Sequence, residues 1–211
     1  RLLLNYFSFI FFGLISGAWL LRNRRYDVVF VYAPSPVLVT IPALFIGWLK
    51  ECPVVLWVQD LWPESLSATG YVRNKTVLRL VEMVVRFIYR YTDLLLVQSM
   101  AFEEPVRVLA SDTPIEYYPN SVDEIFAIPV KAVSQLIPGL DEGFSIMFAG
   151  NIGTAQAVSV IVEAAALLRD YSDINFVVMG DGSSREWMLS EVRRRRLTNF
   201  YLPGRFPVEA M

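Results

Sequence analysis

An α/β fold built on parallel sheets is predicted by three features of the 211-residue sequence. Short β-branched runs alternate with segments of helical periodicity, the mark of consecutive βαβ units. Two of those runs end in glycine and open at once into a helical segment, at residues 148–156 and 179–184. Between the two series, the apolar periodicity weakens over residues 121–143, where Pro129, Pro138 and Gly139 break it up. The chain therefore reads as a first domain over 1–122, a connection over 123–143 and the opening half of a second domain over 144–211.

Residues 2–21 are a nearly unbroken apolar stretch, interrupted by Asn5, Ser8, Ser16 and two glycines and followed by Arg22, Arg24 and Arg25. The stretch is long enough to span a bilayer, and the arginines would hold its far end in the cytoplasm. Residues 27–33 (DVVFVYA) are a strand, 42–50 the end of a helix and 53–59 (PVVLWVQ) the next strand. In residues 75–91, Val77, Leu80, Val81, Val84, Val85 and Ile88 recur at helical spacing with Arg79, Glu82, Arg86 and Arg90 between them. This is an amphipathic helix with that apolar set turned inward. Residues 93–98 are a strand, 101–110 a helix with Pro105 in its first turns, and 115–118 a short strand ending at Pro119 and Asn120. The second series runs as a strand over 144–149, a long helix over 154–171, a strand over 174–179, a helix over 185–197 and a strand over 200–202.

Composition narrows the function classes. With 55% hydrophobic and 19% charged residues, the chain has a core to bury and is not disordered. Its mean hydropathy of +0.42 calls for a membrane contact, for missing structure, or for both. A net charge of -2 gives no global basic field for a nucleic-acid backbone. With no histidine and one cysteine, these residues cannot assemble a Ser-His-Asp triad, a Cys-His dyad or a Cys/His zinc site. Cys52 has no internal disulfide partner, reads as a small buried apolar residue, and fits a reducing cytoplasmic setting. The start at Arg1 and the stop at Met211, just after a strand-like segment, lead to the expectation of a chain cut at both ends.

The motifs that carry chemistry lie at strand ends. FAGNIGTAQ closes a strand at Gly150, places Gly153 three residues on and begins a helix. Backbone N–H groups at such a turn, with a helix dipole behind them, can cradle a diphosphate, though an ordinary βα turn shows the same pattern. Gly180 and Gly182 in MGDGSS repeat the arrangement. In a doubly wound sheet the carboxyl ends of consecutive strands face one crevice, so together the junctions favour a phosphate or nucleotide ligand. QDLWPES, at residues 59–65, sets Asp60, Trp62 and Glu64 at another strand end, where two carboxylates beside an indole suit a hydroxyl-rich ligand. The alternative makes Asp60 a turn or cap residue and Trp62 core. Asn120 in YPNSVD is either an Asx turn or a ligand contact, and the loop of Pro34, Ser35 and Pro36 ends the first strand in the same way. The arginine run at 193–196 is the solvated end of a helix.

Taken in order, DVVFVYAPSP, QDLWPES, YPNSVD, FAGNIGTAQ and GDGSSREWM resemble the family 4 retaining glycosyltransferases of GT-B fold, in particular the WbuB/WcaI-type enzymes of bacterial O-antigen, capsule and exopolysaccharide assembly. The likeness runs from Leu3 to Phe206. It implies two Rossmann-like doubly wound parallel-sheet domains, the second incomplete here, with an acceptor bound by the first, a nucleotide-sugar by the second, and transfer with retention at the cleft between them. On the donor side it points to Asn120, Gly150, Asn151, Gly153, Gln156, Gly180, Gly182, Gly204 and Arg205. On the acceptor side it points to Ser35, Trp62 and Glu64, with Asp60 as the candidate catalytic residue that orients the acceptor. Asn151 and Gln156 stand where many members place Arg and Lys against the diphosphate, and Gln59 stands where many relatives have a histidine.

The resemblance further implies that the first strand and its glycine-rich loop precede Arg1, that a Glu-x7-Glu segment follows Met211, and that the 211-residue chain alone is inactive. No Asp-x-Asp motif is present, in keeping with an activity that uses neither metal nor cofactor. The expected partners are a UDP- or GDP-linked sugar, a lipid-linked saccharide and the inner face of the cell membrane, met through residues 2–25; no nucleic acid is expected. Because the family places residues 2–21 between strands of one sheet, they are expected to lie along the membrane surface instead of crossing it. Two rivals remain: a non-catalytic membrane-associated partner subunit of the same fold, and a nucleotide-sugar epimerase or other Rossmann oxidoreductase. The second would want a Gly-x-Gly-x-x-Gly motif, which this sequence lacks.

Overall fold

The computed structural model of the chain describes residues 2–68, 72–122 and 143–206. The chain divides into two compact units, Arg1–Ser121 and Val122–Met211. The expected connection over 123–143 lies outside the described residues except for Gly143.

In the first unit, β1 (Val29–Ala33), β2 (Val54–Val58), β3 (Leu94–Val97) and β4 (Ile115–Tyr117) form one parallel sheet in the order β1-β2-β3-β4. The register aligns Val31 with Leu56, Leu56 with Leu95 and Leu95 with Ile115. Because side chains alternate across a strand, these residues share one face with Ala33, Val58 and Val97. That face packs on Val85, Ile88 and Tyr89 of α5 (Lys75–Arg90) and on Val106, Leu109 and Ala110 of α6 (Met100–Ala110). Each such fully buried aliphatic side chain contributes about 1.5–3 kcal/mol of transfer free energy. The opposite face carries an aromatic row in which Trp57 touches Phe30, Tyr32 and Tyr118. At the amino end of the sheet, the Asp93 carboxylate accepts a hydrogen bond of 2.7 Å from the Val54 N–H and joins β3 to β2.

The helices follow from caps and from the packed stripe. Asn74 caps α5, its side-chain oxygen accepting from the N–H groups of Thr76 and Val77. The inward face of α5 differs from the expected one: Val81, Val84, Val85 and Ile88 turn to the core, while Val77 and Leu80 are exposed. Tyr89, absent from the expected set, takes an inward position because the stripe follows the register of the sheet beneath it.

Residues 2–21 are helical: α1 (Leu2–Phe12) runs through a π-turn (Gly13–Gly17) into α2 (Ala18–Leu21). Its glycines meet α3 (Thr40–Lys50), Gly13 lying against Pro42 and Gly17 against Ile46, so a methyl group at either would press on that helix. Lys50 Nζ donates to the carbonyls of Arg22 and Arg24, each at 3.0 Å, and ties the two segments at one end. Leu4, Phe7, Phe11, Ile15 and Trp19 are left exposed along the other side. The helix Leu4–Leu21 is long and apolar enough to cross a membrane. Cys52, just before β2, is half-buried, not fully buried as expected, because it sits in the turn where α3 ends. Helix α4 (Glu64–Ala68), one turn long, was not anticipated.

In the second unit, β5 (Phe144–Asn151), β6 (Ile174–Asp181) and β7 (Phe200–Gly204) are parallel, in the order β5-β6-β7. Val162 and Ala165 of α7 (Ser159–Leu167) and Met188 of α8 (Arg185–Arg195) are fully buried in one core with Ile152 and Val178, with the rings of Phe176 and Phe200 stacked 6.3 Å apart. The long helix expected over 154–171 is not continuous. A 3-10 turn (Thr154–Gln156) is closed by Ala157 in the left-handed region (φ 46°), and the α-helix starts only at Ser159. At the end of α8, Arg194 and Arg195 both pair with Glu191, at 2.7 and 3.0 Å.

Candidate ligand sites at the carboxyl ends of the two sheets

In the second unit, both glycine motifs belong to strand ends that continue further than expected. The ladder pairs Gly150 with Gly180 and Asn151 with Asp181 before the strands part. The backbones approach closely here: a Cβ on Gly180 would collide with the Gly150 carbonyl oxygen, and one on Gly182 with that of Ile152. The two loops are then laced together, Ile152 N–H donating to Asp181 O and Ser184 N–H to Ile152 O, each at 2.9 Å. Gly180 and Gly182 are thus required by the packing of one loop on the other. Gly153 differs. Its backbone is extended (φ -119°), and a Cβ there would meet only the side-chain amides, Asn151 Nδ2 at 2.7 Å and Gln156 Oε1 at 3.0 Å.

Asn151 and Gln156, 3.5 Å apart through those amides, border the Gly153 turn without adding charge. Arg205, after β7, brings a cation to this edge: its guanidinium lies 3.5 Å from the Asp181 carboxylate and is largely exposed. The same carboxylate accepts from Gly182 N–H at 2.8 Å. Asp181 was missed in the sequence, although a carboxylate between two glycines at a strand end is itself a signal. The 3-10 turn separates Gly153 from the α7 amino terminus, so that helix dipole lies further from the turn than the sequence implied.

In the first unit, the carboxyl edge is built from side chains. Asp60 follows β2, and its carboxylate accepts from the Trp62 indole N–H at 3.1 Å, while the Trp62 ring is buried in the core. Glu64 is exposed in the first turn of α4. Both carboxylates bear on Tyr89: burial, then Glu64, then Asp60 push its phenol well above the ordinary tyrosine range. Ser35 is exposed and lines a small pocket with Asn5, Tyr6, Phe9 and Ile10 of α1. Among the described residues no hydrogen bond joins Ser35 to Asp60 or Trp62. The peptide bonds Ser35–Pro36 and Trp62–Pro63, at the ends of β1 and β2, are both cis.

Asn120 belongs to a chain of amides that crosses three strand ends. Its Nδ2 donates to Gln98 Oε1 at 2.5 Å, and Gln98 Nε2 donates to the Gln59 carbonyl at 2.9 Å. Beside it, Trp57 Nε1 donates to the Tyr118 carbonyl at 3.0 Å. The Gln59 side-chain nitrogen is buried with no partner among the described residues. Gln98 also escaped the sequence reading, because a glutamine at a strand end has no distinguishing neighbours. Among the described residues no group of three or more His, Cys, Asp or Glu is placed to hold a metal ion.

No protein-family model matches the sequence, and no curated protein matches it. Solved structures do match in fold. HepE (Alr3699) from Anabaena, solved with UDP-glucose, aligns with a TM-score of 0.66 and 15% identity over 93% of this chain and 52% of its own. The α,α-trehalose 6-phosphate synthase from Burkholderia multivorans aligns with a TM-score of 0.69 and 14% identity, over 97% of this chain and 52% of that one. The lipopolysaccharide outer core galactosyltransferase WaaB gives 0.54 and 14%, over 92% of this chain and 48% of its own. The chain spans about half the length of these structures. Its two parallel sheets with their helices are the α/β fold of the GT-B glycosyltransferases.

Proposed function

We propose that the protein is a retaining glycosyltransferase of the family 4 kind, moving a hexose or N-acetylated sugar from a UDP- or GDP-linked donor to a lipid-linked saccharide in surface-polysaccharide assembly. The observation that carries the reading is a GT-B fold, the fold in which HepE was solved with UDP-glucose, together with a second unit here whose strands end in glycine backbone beside the exposed Arg205. Within the second unit, Gly150, Gly153 and Gly204 leave backbone open to a diphosphate, Gly180 and Gly182 hold the two loops together, and Asn151 and Gln156 offer amides. Arg205 supplies charge that Asn151 and Gln156 do not. On the acceptor side, Asp60 orients a hydroxyl, with Trp62 and Glu64 close to it in sequence and Ser35, after β1, as a further contact. The reading calls for no metal ion or cofactor. Since the chain covers about half of its structural matches, the activity is proposed for the whole protein.

The proposed setting is the inner face of the cell membrane. Its support is the exposed apolar side of the first helix, together with Arg22, Arg24 and Arg25 at its end. A second apolar set, Trp48 and Leu49 of α3 with Phe87 of α5 and Tyr91 just after it, borders the same groove as Leu14. Salt washing that strips the protein from membranes would favour surface attachment, and retention in the pellet after carbonate a span.

The test is calorimetric binding of UDP-glucose, UDP-N-acetylglucosamine and a GDP-sugar, followed by transfer to a lipid-linked saccharide. Binding with transfer supports the enzyme. The neutral pair Asn151 and Gln156 favours one second reading, a non-catalytic partner subunit of the same fold, which the assay identifies as binding without turnover.

A further inference from the structure

We propose that Gln98 is a positioning residue: it fixes Asn120 with the side-chain carbonyl oxygen turned away from the sheet, as an acceptor for a sugar hydroxyl. The polarity follows from chemistry. The Gln59 carbonyl can only accept, so the nitrogen end of the Gln98 amide is committed to it, at 2.9 Å. The oxygen end of Gln98 is thereby left for Asn120, which must donate its own nitrogen, at 2.5 Å. Asn120 Oδ1 then has no donor among the described residues, and Asn120 is exposed. One backbone carbonyl just after β2 thus sets the orientation of an amide two strands away. The buried, unpartnered side-chain nitrogen of Gln59 is a second polar group at the same edge awaiting an acceptor.

The ligand chemistry is a hydroxyl that donates to Asn120 Oδ1, and it comes either from the sugar of a nucleotide-sugar or from a free saccharide. The identity of that ligand rests on the proposed function, whereas the orientation of Asn120 does not.

The test takes nitrogen-15-labelled protein and two probes, UDP-glucose and methyl α-D-glucopyranoside. In the wild type one Asn120 side-chain proton is expected to lie downfield and exchange slowly with water, and Gln98→Leu returns it to the position of a free amide. A signal that Gln98→Leu leaves in place overturns the positioning. With whichever probe the edge recognises, Gln98→Leu is expected to raise Kd about fivefold or more, while Tm falls by less than about 3 °C. An effect on UDP-glucose alone assigns the hydroxyl to the donor, and one on the glucoside alone to a free saccharide. Asn120→Asp places an oxygen against Gln98 Oε1 and weakens the same probe. Adding Gln98→Lys, which donates to both oxygens, restores Kd to within about twofold. Equal Kd in wild type and Gln98→Leu overturns the proposal. A wild type that binds neither probe overturns its ligand half together with the proposed function, and the amide signal still decides the positioning.

Discussion

The two sheets finish their carboxyl ends in different materials. In the second unit the edge is backbone: Gly150, Gly180 and Gly182 let one loop lie against the next, and the donors and acceptors are main-chain N–H and C=O groups. In the first it is side chain: Gln98, Asn120 and Trp57 tie neighbouring strand ends through amides and an indole, while the Asp60 carboxylate holds Trp62 within its own loop. Where backbone meets backbone, at Gly180 and Gly182, there is no room for a Cβ, so failures there are steric and large. A side-chain edge loses one hydrogen bond at a time, so its failures are small for stability and appear first in ligand geometry.

The largest effect that would break this contrast is expected at Gly180. Its φ of 132° and the neighbouring Gly150 carbonyl leave no room for a Cβ, so Gly180→Ala should cost about 3 kcal/mol or more in denaturant unfolding. A loss below about 1 kcal/mol would show that the two loops separate easily.

Gly153 sharpens the same comparison from within the second unit. Its extended backbone accepts valine, and the new side chain displaces only the flexible ends of Asn151 and Gln156. Gly153→Val is therefore expected to cost under about 1 kcal/mol of stability yet weaken UDP-sugar binding about tenfold, some 1.4 kcal/mol, by calorimetry. Unchanged affinity would remove the glycine turn from the donor site.

For the first unit, Trp57→Phe keeps an aromatic ring beside Tyr32 and Tyr118 but deletes the donor to the Tyr118 carbonyl. About 1 kcal/mol of stability should be lost, a third of the Gly180→Ala figure. A cost equal to that of Gly180→Ala would erase the distinction between the edges.

The smallest effect concerns Tyr89 beneath Asp60 and Glu64. Burial is the main cause of its raised phenol pKa, and the two carboxylates add to it. A raised folded-state value means the contribution to stability is complete below the unfolded pKa of about 10 and is lost as pH climbs above it. Ultraviolet titration should show Tyr89 ionising only as the protein unfolds, and Asp60→Asn should lower the apparent midpoint slightly. A midpoint unmoved by both Asp60→Asn and Glu64→Gln would place these charges too far from the phenol to matter.

Much of the fold was legible because strand alternation and glycine are local signals. The runs DVVFVYA, PVVLWVQ and DLLLVQ became β1, β2 and β3, since β-branched and aliphatic residues buried on a parallel sheet leave a nearly continuous apolar run. Legibility failed where a neighbour chose among equivalent local options. Val77 and Leu80 fit the helical period as well as Tyr89 does, but only the sheet beneath decides which residues of α5 face it. Ala157 carries no sign of a left-handed φ, and the break between the 3-10 turn and α7 follows from how that loop meets the sheet.

By itself the sequence determined the order of the elements, the two series of βαβ units and the glycine-bearing strand ends, because spacing and side-chain volume act over a few residues. The tertiary structure alone decided what each polar residue at those ends does. Gln59, Gln98 and Asn120 lie far apart along the chain and become one hydrogen-bonded row only through the parallel pairing that sets β2, β3 and β4 side by side. Asp181 meets Arg205 for the same reason, since β6 and β7 bring their ends together. A hydrogen bond depends on separation in space, and for residues on different strands that separation is set by sheet register.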